Sequence, residues 1–197
     1  MTITSTGYKI GKQPIAQSFF IDEPKGIYCT KVDLFLKTAD ASAPIQIQIR
    51  PMINGVPSSN IIIPGSVKAL PGSTFSGGAS VSADATTATE FRFDEPVYLQ
   101  GQTDFALVVI ADSKDYEIFI AEINEFVVGS TEKRINKQPI LGSLFYTQNG
   151  VTFTPAQNQD LTFRIHKAKF KYTSAKVRLS NASVPKRLLS NNPITTK

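Results

Sequence analysis

Ile45-Gln46-Ile47-Gln48-Ile49-Arg50 alternates an isoleucine with a polar side chain at every step. Successive side chains of a β-strand point to opposite faces, so this run sets three β-branched apolar groups on one face. Two amides and a guanidinium fall on the other. That is how a strand reads when one face lies on a core and the other meets water. The same period of two recurs on both sides of the run. Tyr28, Thr30, Val32, Leu34 and Leu36 share a face opposite Lys31, Asp33 and Lys37. Phe91 and Phe93 alternate with Glu90, Arg92 and Asp94, and Phe105, Leu107 and Val109 share a face. So do Tyr116, Ile118 and Ile120, and then Leu161, Phe163 and Ile165. No stretch sustains an apolar period of 3.6, so helices are not expected.

Turn-forming residues punctuate these runs: the Asp22–Gly26 segment, Asn54-Gly55, Pro64-Gly65, Pro71-Gly72, Gly77-Gly78, Asp94-Glu95-Pro96 and Asn149-Gly150. About eight short strands at this spacing predict an all-β fold, an antiparallel β-sandwich of the jelly-roll kind. The expected core is Val32, Leu34, Leu36, Ile47, Ile49, Phe91, Phe93, Leu107, Val109, Ile118, Phe163 and Ile165. Ile53 to Val81 alternates poorly and reads as a long connection with one or two edge strands. Ser73 to Thr89, rich in Ser, Thr, Gly and Ala, reads as a mobile loop. Lys12–Phe20 echoes Lys137–Phe145, which suggests two similar strand starts, each preceded by a proline, that lie side by side.

The charge is unevenly placed. From Leu161 to Lys197 there are nine Lys and Arg and no acid, whereas all sixteen Asp and Glu of the 197-residue chain lie before that point. The global +5 thus conceals a mildly acidic body followed by a strongly basic segment. We read residues 1–15 as an N-terminal arm, 16–170 as the sandwich and 171–197 as an extended basic C-terminal arm or connector. Lys176, Arg178, Val184, Lys186, Arg187, Leu188 and Leu189 are the residues of this arm expected to hold a partner. The start of the chain is polar and reads as having no secretory leader. No apolar run is long enough to span a bilayer as a helix.

Little in the sequence carries chemistry. His166 is the sole histidine and Cys29 the sole cysteine. They allow no internal disulfide and do not supply the usual zinc ligand sets. Cys29 reads as a buried, inert thiol, and His166 as a strand-surface residue. No Asp-x-Asp-x-Asp-Gly calcium loop and no phosphate-cradling glycine motif is present. The expectation is a non-enzyme with no metal or cofactor. Lys167, Lys169 and Lys171 alternate with Ala168, Phe170 and Tyr172, which is one charged strand face rather than a dense nucleic-acid arm. Docking on an acidic protein surface fits them better than nucleic acid does.

The run Ala16–Ile27, with Val32–Thr38 and Ile47–Gly55, resembles a module of large virion structural proteins of contractile-tailed bacteriophages, notably those of cyanobacteria. Phe93–Leu99, Gln138–Phe145 and Asp160–Ile165 extend the resemblance. They also resemble the galactose-binding-like jelly-roll pattern. The resemblance spans residues 14 to 195 and implies a structural subunit of the tail or baseplate, made in the host cytoplasm and carried in the virion. It implies docking to other tail or baseplate subunits, in symmetric multiple copies, through the sandwich surface and terminal arms. No membrane partner is implied. The alternative is a carbohydrate-binding module that recognises host-surface glycan, for which Tyr98, Tyr146 and Phe153 are the aromatics expected on the surface.

Overall fold

The computed structural model describes residues 7–9, 13–138, 141–147, 149–172, 174 and 176. Its strands, in chain order, are β1 (Gly7–Lys9), β2 (Ile15–Ile21), β3 (Ile27–Leu34), β4 (Leu36–Thr38), β5 (Ile45–Ile53), β6 (Val56–Pro57) and β7 (Lys68–Leu70). They continue with β8 (Thr89–Leu99), β9 (Thr103–Ala111), β10 (Glu117–Glu122), β11 (Leu144–Tyr146), β12 (Thr154–Ala156), β13 (Gln159–Leu161) and β14 (Phe163–Lys167).

One layer is a seven-stranded sheet in the order β12-β11-β2-β9-β5-β6, with β7 also on β5. The other joins the triplet β14-β3-β8 to a group built on β10, which pairs with β1, β4 and β13. All pairings are antiparallel. Principal strands β2, β3, β5, β8, β9, β10, β11 and β14 alternate between the layers, the crossing pattern of a jelly roll. The protein is therefore an antiparallel β-sandwich, as the alternation predicts.

β3 and β14 splay apart at Phe35 and Thr162, and β10 closes the fork. The Phe119 amide donates to the Phe35 carbonyl at 3.0 Å, and the Phe119 carbonyl accepts from the Thr162 amide at 3.1 Å. A buried backbone needs these partners, because an orphaned amide costs about as much as a lost hydrogen bond.

The main core lies between the layers. Ile45, Ile47 and Ile49 are fully buried there, with Val32, Leu34, Leu36, Phe91, Leu107, Val109 and Ile118. Phe93 and Phe163 join them, while Ile165 is only partly buried because β14 is an edge strand. Two smaller apolar clusters sit on the outer faces. Phe145 and Phe153 cover Ala16, Ala106 and Val108 on one, and Ala85 covers Phe35 and Phe119 on the other. One of these outer clusters corrects an expectation. Phe153 is buried rather than exposed, because its loop folds onto the small side chains of β2 and β9. Within Ser73 to Thr89, part of a 3-10 segment at Gly72–Gly78 buries Phe75 edge-on against Tyr116 in the main core, and Ser82 and Thr86 both hydrogen-bond Asp84.

One polar link crosses the core. Gln17 of β2 donates to Asp160 Oδ1 at 3.1 Å and accepts from the Leu161 amide at 2.7 Å. Both side chains are fully buried. The echo between Lys12–Phe20 and Lys137–Phe145 has a structural counterpart, since β2 and β11 pair directly with Ala16 opposite Phe145. Pro14 precedes β2; Pro139 lies outside the described residues.

Candidate functional site

Alternation places Tyr28 on the core face with Val32. The structure does not, and the reason is local. β3 and β8 are in register at Cys29–Val97 and again at Lys31–Arg92. Between those pairs β8 interposes Phe93, Asp94, Glu95 and Pro96 where β3 has only Thr30. Pro96 has no N–H to give the ladder, and a bulge is where a strand tolerates that. The irregularity flips the phase: Cys29 and Val32 both face inward, and Tyr28 faces out.

Tyr28 then pairs across the strands with Tyr98, ring centroids 5.2 Å apart and tilted by 51°. Tyr98 is held in place by its hydroxyl, which donates to the Lys25 carbonyl at 3.1 Å. The ring lies so close over the turn that a Cβ on Gly26 would sit 2.8 Å from the Tyr98 oxygen. Gly26 also has φ +72°, which disfavours any other residue there. Past β14, the Ala168 amide donates to the Tyr28 carbonyl at 2.7 Å, bringing Phe170 edge-on against Tyr28 at 5.2 Å. The three rings stay 43%, 48% and 63% exposed for Tyr28, Tyr98 and Phe170. Lys25, Lys169, Lys171, Tyr172 and Lys176 are exposed as well.

Beside this platform a groove of about 340 Å³ opens between the layers, where the edge strand β14 faces β2. Phe19, Phe20, Ile27, Phe163 and Ile165 line it, and the Lys167–Glu23 ion pair stands at its rim. Contiguous exposed aromatic surface of this sort is a recognised mark of an interaction site.

The outer surface of the seven-stranded sheet and its loops has two polar cavities. One, of about 490 Å³, lies over β2 and β9 and includes Ser18, Gln102, Asp104 and Ser143. The other, of about 530 Å³, is lined by Gln13, Tyr146, Thr147, Asn149, Thr152 and Thr154. Tyr146 is half-buried and Tyr98 exposed.

His166 sits on β14 with Nε2 2.7 Å from Asp33 Oδ2, and Lys31 Nζ lies 3.7 Å from the other carboxylate oxygen. The arrangement ties β14 to β3; among the described residues no hydroxyl or thiol lies within hydrogen-bonding distance of the other ring nitrogen. Cys29 is buried and its thiol is pushed up to about 12, first by loss of hydration. No group of three or more His, Cys, Asp or Glu able to hold a metal occurs among the described residues.

Of the arm residues predicted to bind a partner, Lys176 is described and is exposed. Arg178, Val184, Lys186, Arg187, Leu188 and Leu189 lie outside the described residues. The strand expected to continue through Lys171 ends at Lys167. Tyr28, Phe170 and Phe20 were not among the expected surface aromatics. The one sequence signal for Tyr28 was Asp94-Glu95-Pro96, which a central ladder does not accommodate.

No protein-family model matches the chain, and no curated protein sequence matches it. Solved structures similar in fold include a chain holding the cysteine protease and lectin-like domains of Cwp84, a surface-layer-associated protein of Clostridium difficile. It has TM-score 0.52 and 12% identity, and the match covers 78% of this chain and 31% of that one. A second structure of the clostridial cysteine protease Cwp84, after propeptide cleavage, gives TM-score 0.54 and 14% identity, covering 81% of this chain and 36% of its own. At that identity the likeness is one of fold, and this chain spans about a third of each. No helix among the described residues is long and apolar enough to cross a membrane.

Proposed function

We propose that the chain is a non-enzymatic attachment module, a structural subunit of a bacteriophage tail or baseplate that docks on neighbouring subunits. The observation that carries this reading is the exposed Tyr28–Tyr98–Phe170 cluster at the foot of the basic segment. Aromatic side chains concentrate binding energy at interface centres, where few rotamers are lost on contact. Exposed lysines add about 0.2–1 kcal/mol each. They contribute more to steering and choice of partner than to strength. The partner that fits is a protein surface with an apolar recess rimmed by acids, because no acid follows Asp160 in this chain. The virion setting rests on the resemblance of Ala16–Ile27 and the later stretches to tail and baseplate modules. Mass spectrometry of purified phage particles tests it. The chain should be present at fixed stoichiometry, and Tyr28→Ser with Phe170→Ser should deplete it from particles without unfolding it. Absence of the chain from particles overturns the reading.

A second reading, saccharide recognition, is supported by the fold shared with chains containing a lectin-like domain and by the two polar cavities. Sugar-binding on a glycan array by the isolated chain is its test.

A further inference from the structure

The hydrogen bonds around the cavity of about 490 Å³ have an uneven balance. Two of its three hydroxyls, those of Ser18 and Thr103, donate to backbone carbonyls. Ser18 Oγ donates to the Ser143 carbonyl at 3.3 Å and accepts from the Ser143 amide at 2.8 Å. Thr103 Oγ1 donates to the Gly101 carbonyl at 3.1 Å. Gln102 Nε2 donates to the Asp22 carbonyl. What remains is the Ser143 hydroxyl and a larger accepting capacity. Among the described residues, neither the Asp104 carboxylate nor Gln102 Oε1 has a hydrogen-bond or ion-pair partner, and Asp104 is exposed. Met52 and Phe145 supply apolar surface to the same cavity.

The strands fix this composition. Asp104 follows from the alternation of β9, whose next residue, Phe105, is in the core and whose Ala106 is on the outer face. Asp104 stands opposite Phe20 in the β2–β9 register. Asp104 is therefore set on sheet backbone, as a preorganised binding group should be, and Gln102 stands in the turn just before β9 with its amide nitrogen tied to the Asp22 carbonyl.

A ligand complementary to such a cavity presents several O–H donors, no negative charge and a C–H face to lie on apolar side chains. We infer that this cavity binds a neutral saccharide, with Asp104 accepting from adjacent sugar hydroxyls and Gln102 Oε1 accepting a further one. Carboxylate acceptors make the stronger bonds, so Asp104 carries the largest share of the affinity. The inference rests on the saccharide reading above and gives it a location.

The test uses the whole chain. Galactose, glucose, mannose and N-acetylglucosamine, with their β-linked dimers, are titrated at millimolar concentration while backbone amide shifts are followed by NMR. Putrescine serves as a cationic donor probe. The expected result is saturable shifts at Gln102, Thr103, Asp104 and Ser143 with at least one neutral sugar. Asp104→Ala should then weaken that sugar at least about tenfold, the scale of losing a charged acceptor. Its melting curve should be unchanged, since Asp104 is exposed. Glu132→Gln, in a distant exposed loop, should leave binding intact. No binding of any neutral sugar overturns both the site and the saccharide reading. Sugar binding that persists in Asp104→Ala, with shifts around Asn149 and Thr152, overturns the site and keeps the reading. Stronger binding of putrescine than of every sugar overturns the ligand class.

Discussion

Replacing Gln17 by Leu removes a fully buried polar link between the sandwich layers and keeps side-chain volume nearly constant. The fully buried amide accepts from the Leu161 N–H at 2.7 Å and donates to Asp160 Oδ1 at 3.1 Å and to the Ser18 carbonyl at 3.3 Å. Leaving a buried N–H unsatisfied costs about 1–3 kcal/mol, and depriving a carboxylate of a hydrogen bond costs about 1.5–3 kcal/mol. Together these predict a destabilisation of about 3–5 kcal/mol, or a Tm lower by about 6–20 °C for a domain of this size. The chain has no Trp, so urea unfolding is best followed by far-UV circular dichroism. Asp160→Asn in the Gln17→Leu background should cost less than in the wild type, because the shared bond is already gone. A loss below about 1 kcal/mol with an unchanged m-value would refute the reasoning. It would mean that water or a shifted backbone replaces the amide.

Three further outcomes are expected. Gly26→Ala should displace the Tyr98 ring and destabilise by about 1–3 kcal/mol, the scale of a residue forced to positive φ; an unchanged Tyr98 environment by NMR with wild-type stability would contradict the turn geometry. Cys29, with its thiol pushed up to about 12, should resist iodoacetamide near pH 8 in the native protein and react once unfolded in urea; rapid native labelling would show that the thiol is accessible. Asp40 is held at about 2 rather than 3.8, chiefly by side-chain hydrogen bonds from Ser113 and Ser42. A depressed carboxyl stabilises in full above 3.8 and loses that contribution as pH falls through about 2, so Asp40→Asn should lower stability near neutrality and converge with wild type at about pH 2; a constant difference across this range would count against it.

Period-two alternation was enough to identify the sandwich because burial enforces it. Ile45, Ile47 and Ile49 face the core without exception, and a one-residue slip would have buried Gln46, Gln48 and Arg50 between the layers instead. Yet the outer face is also covered in part: Arg50 is buried there, its guanidinium bonded to Gln48 Oε1 and the carbonyls of Ser58 and Ser59. Alternation cannot show such second coverings, which is why Phe153 reads as surface. It also fails wherever the ladder is interrupted. Past the Phe93–Pro96 irregularity the two faces of β3 exchange, and a tyrosine with a core-like neighbourhood in sequence becomes part of an exposed aromatic cluster. Interruptions of this kind place large side chains outside without altering the strand pattern on either side. The aromatic platform therefore depends on the residues that break the sheet, Pro96 and Gly26, as much as on Tyr28 and Tyr98. The cavity over β2 and β9 is less visible still, since Ser18, Asp104 and Ser143 are far apart in sequence and come together only once β2, β9 and the β11 entry have been assembled.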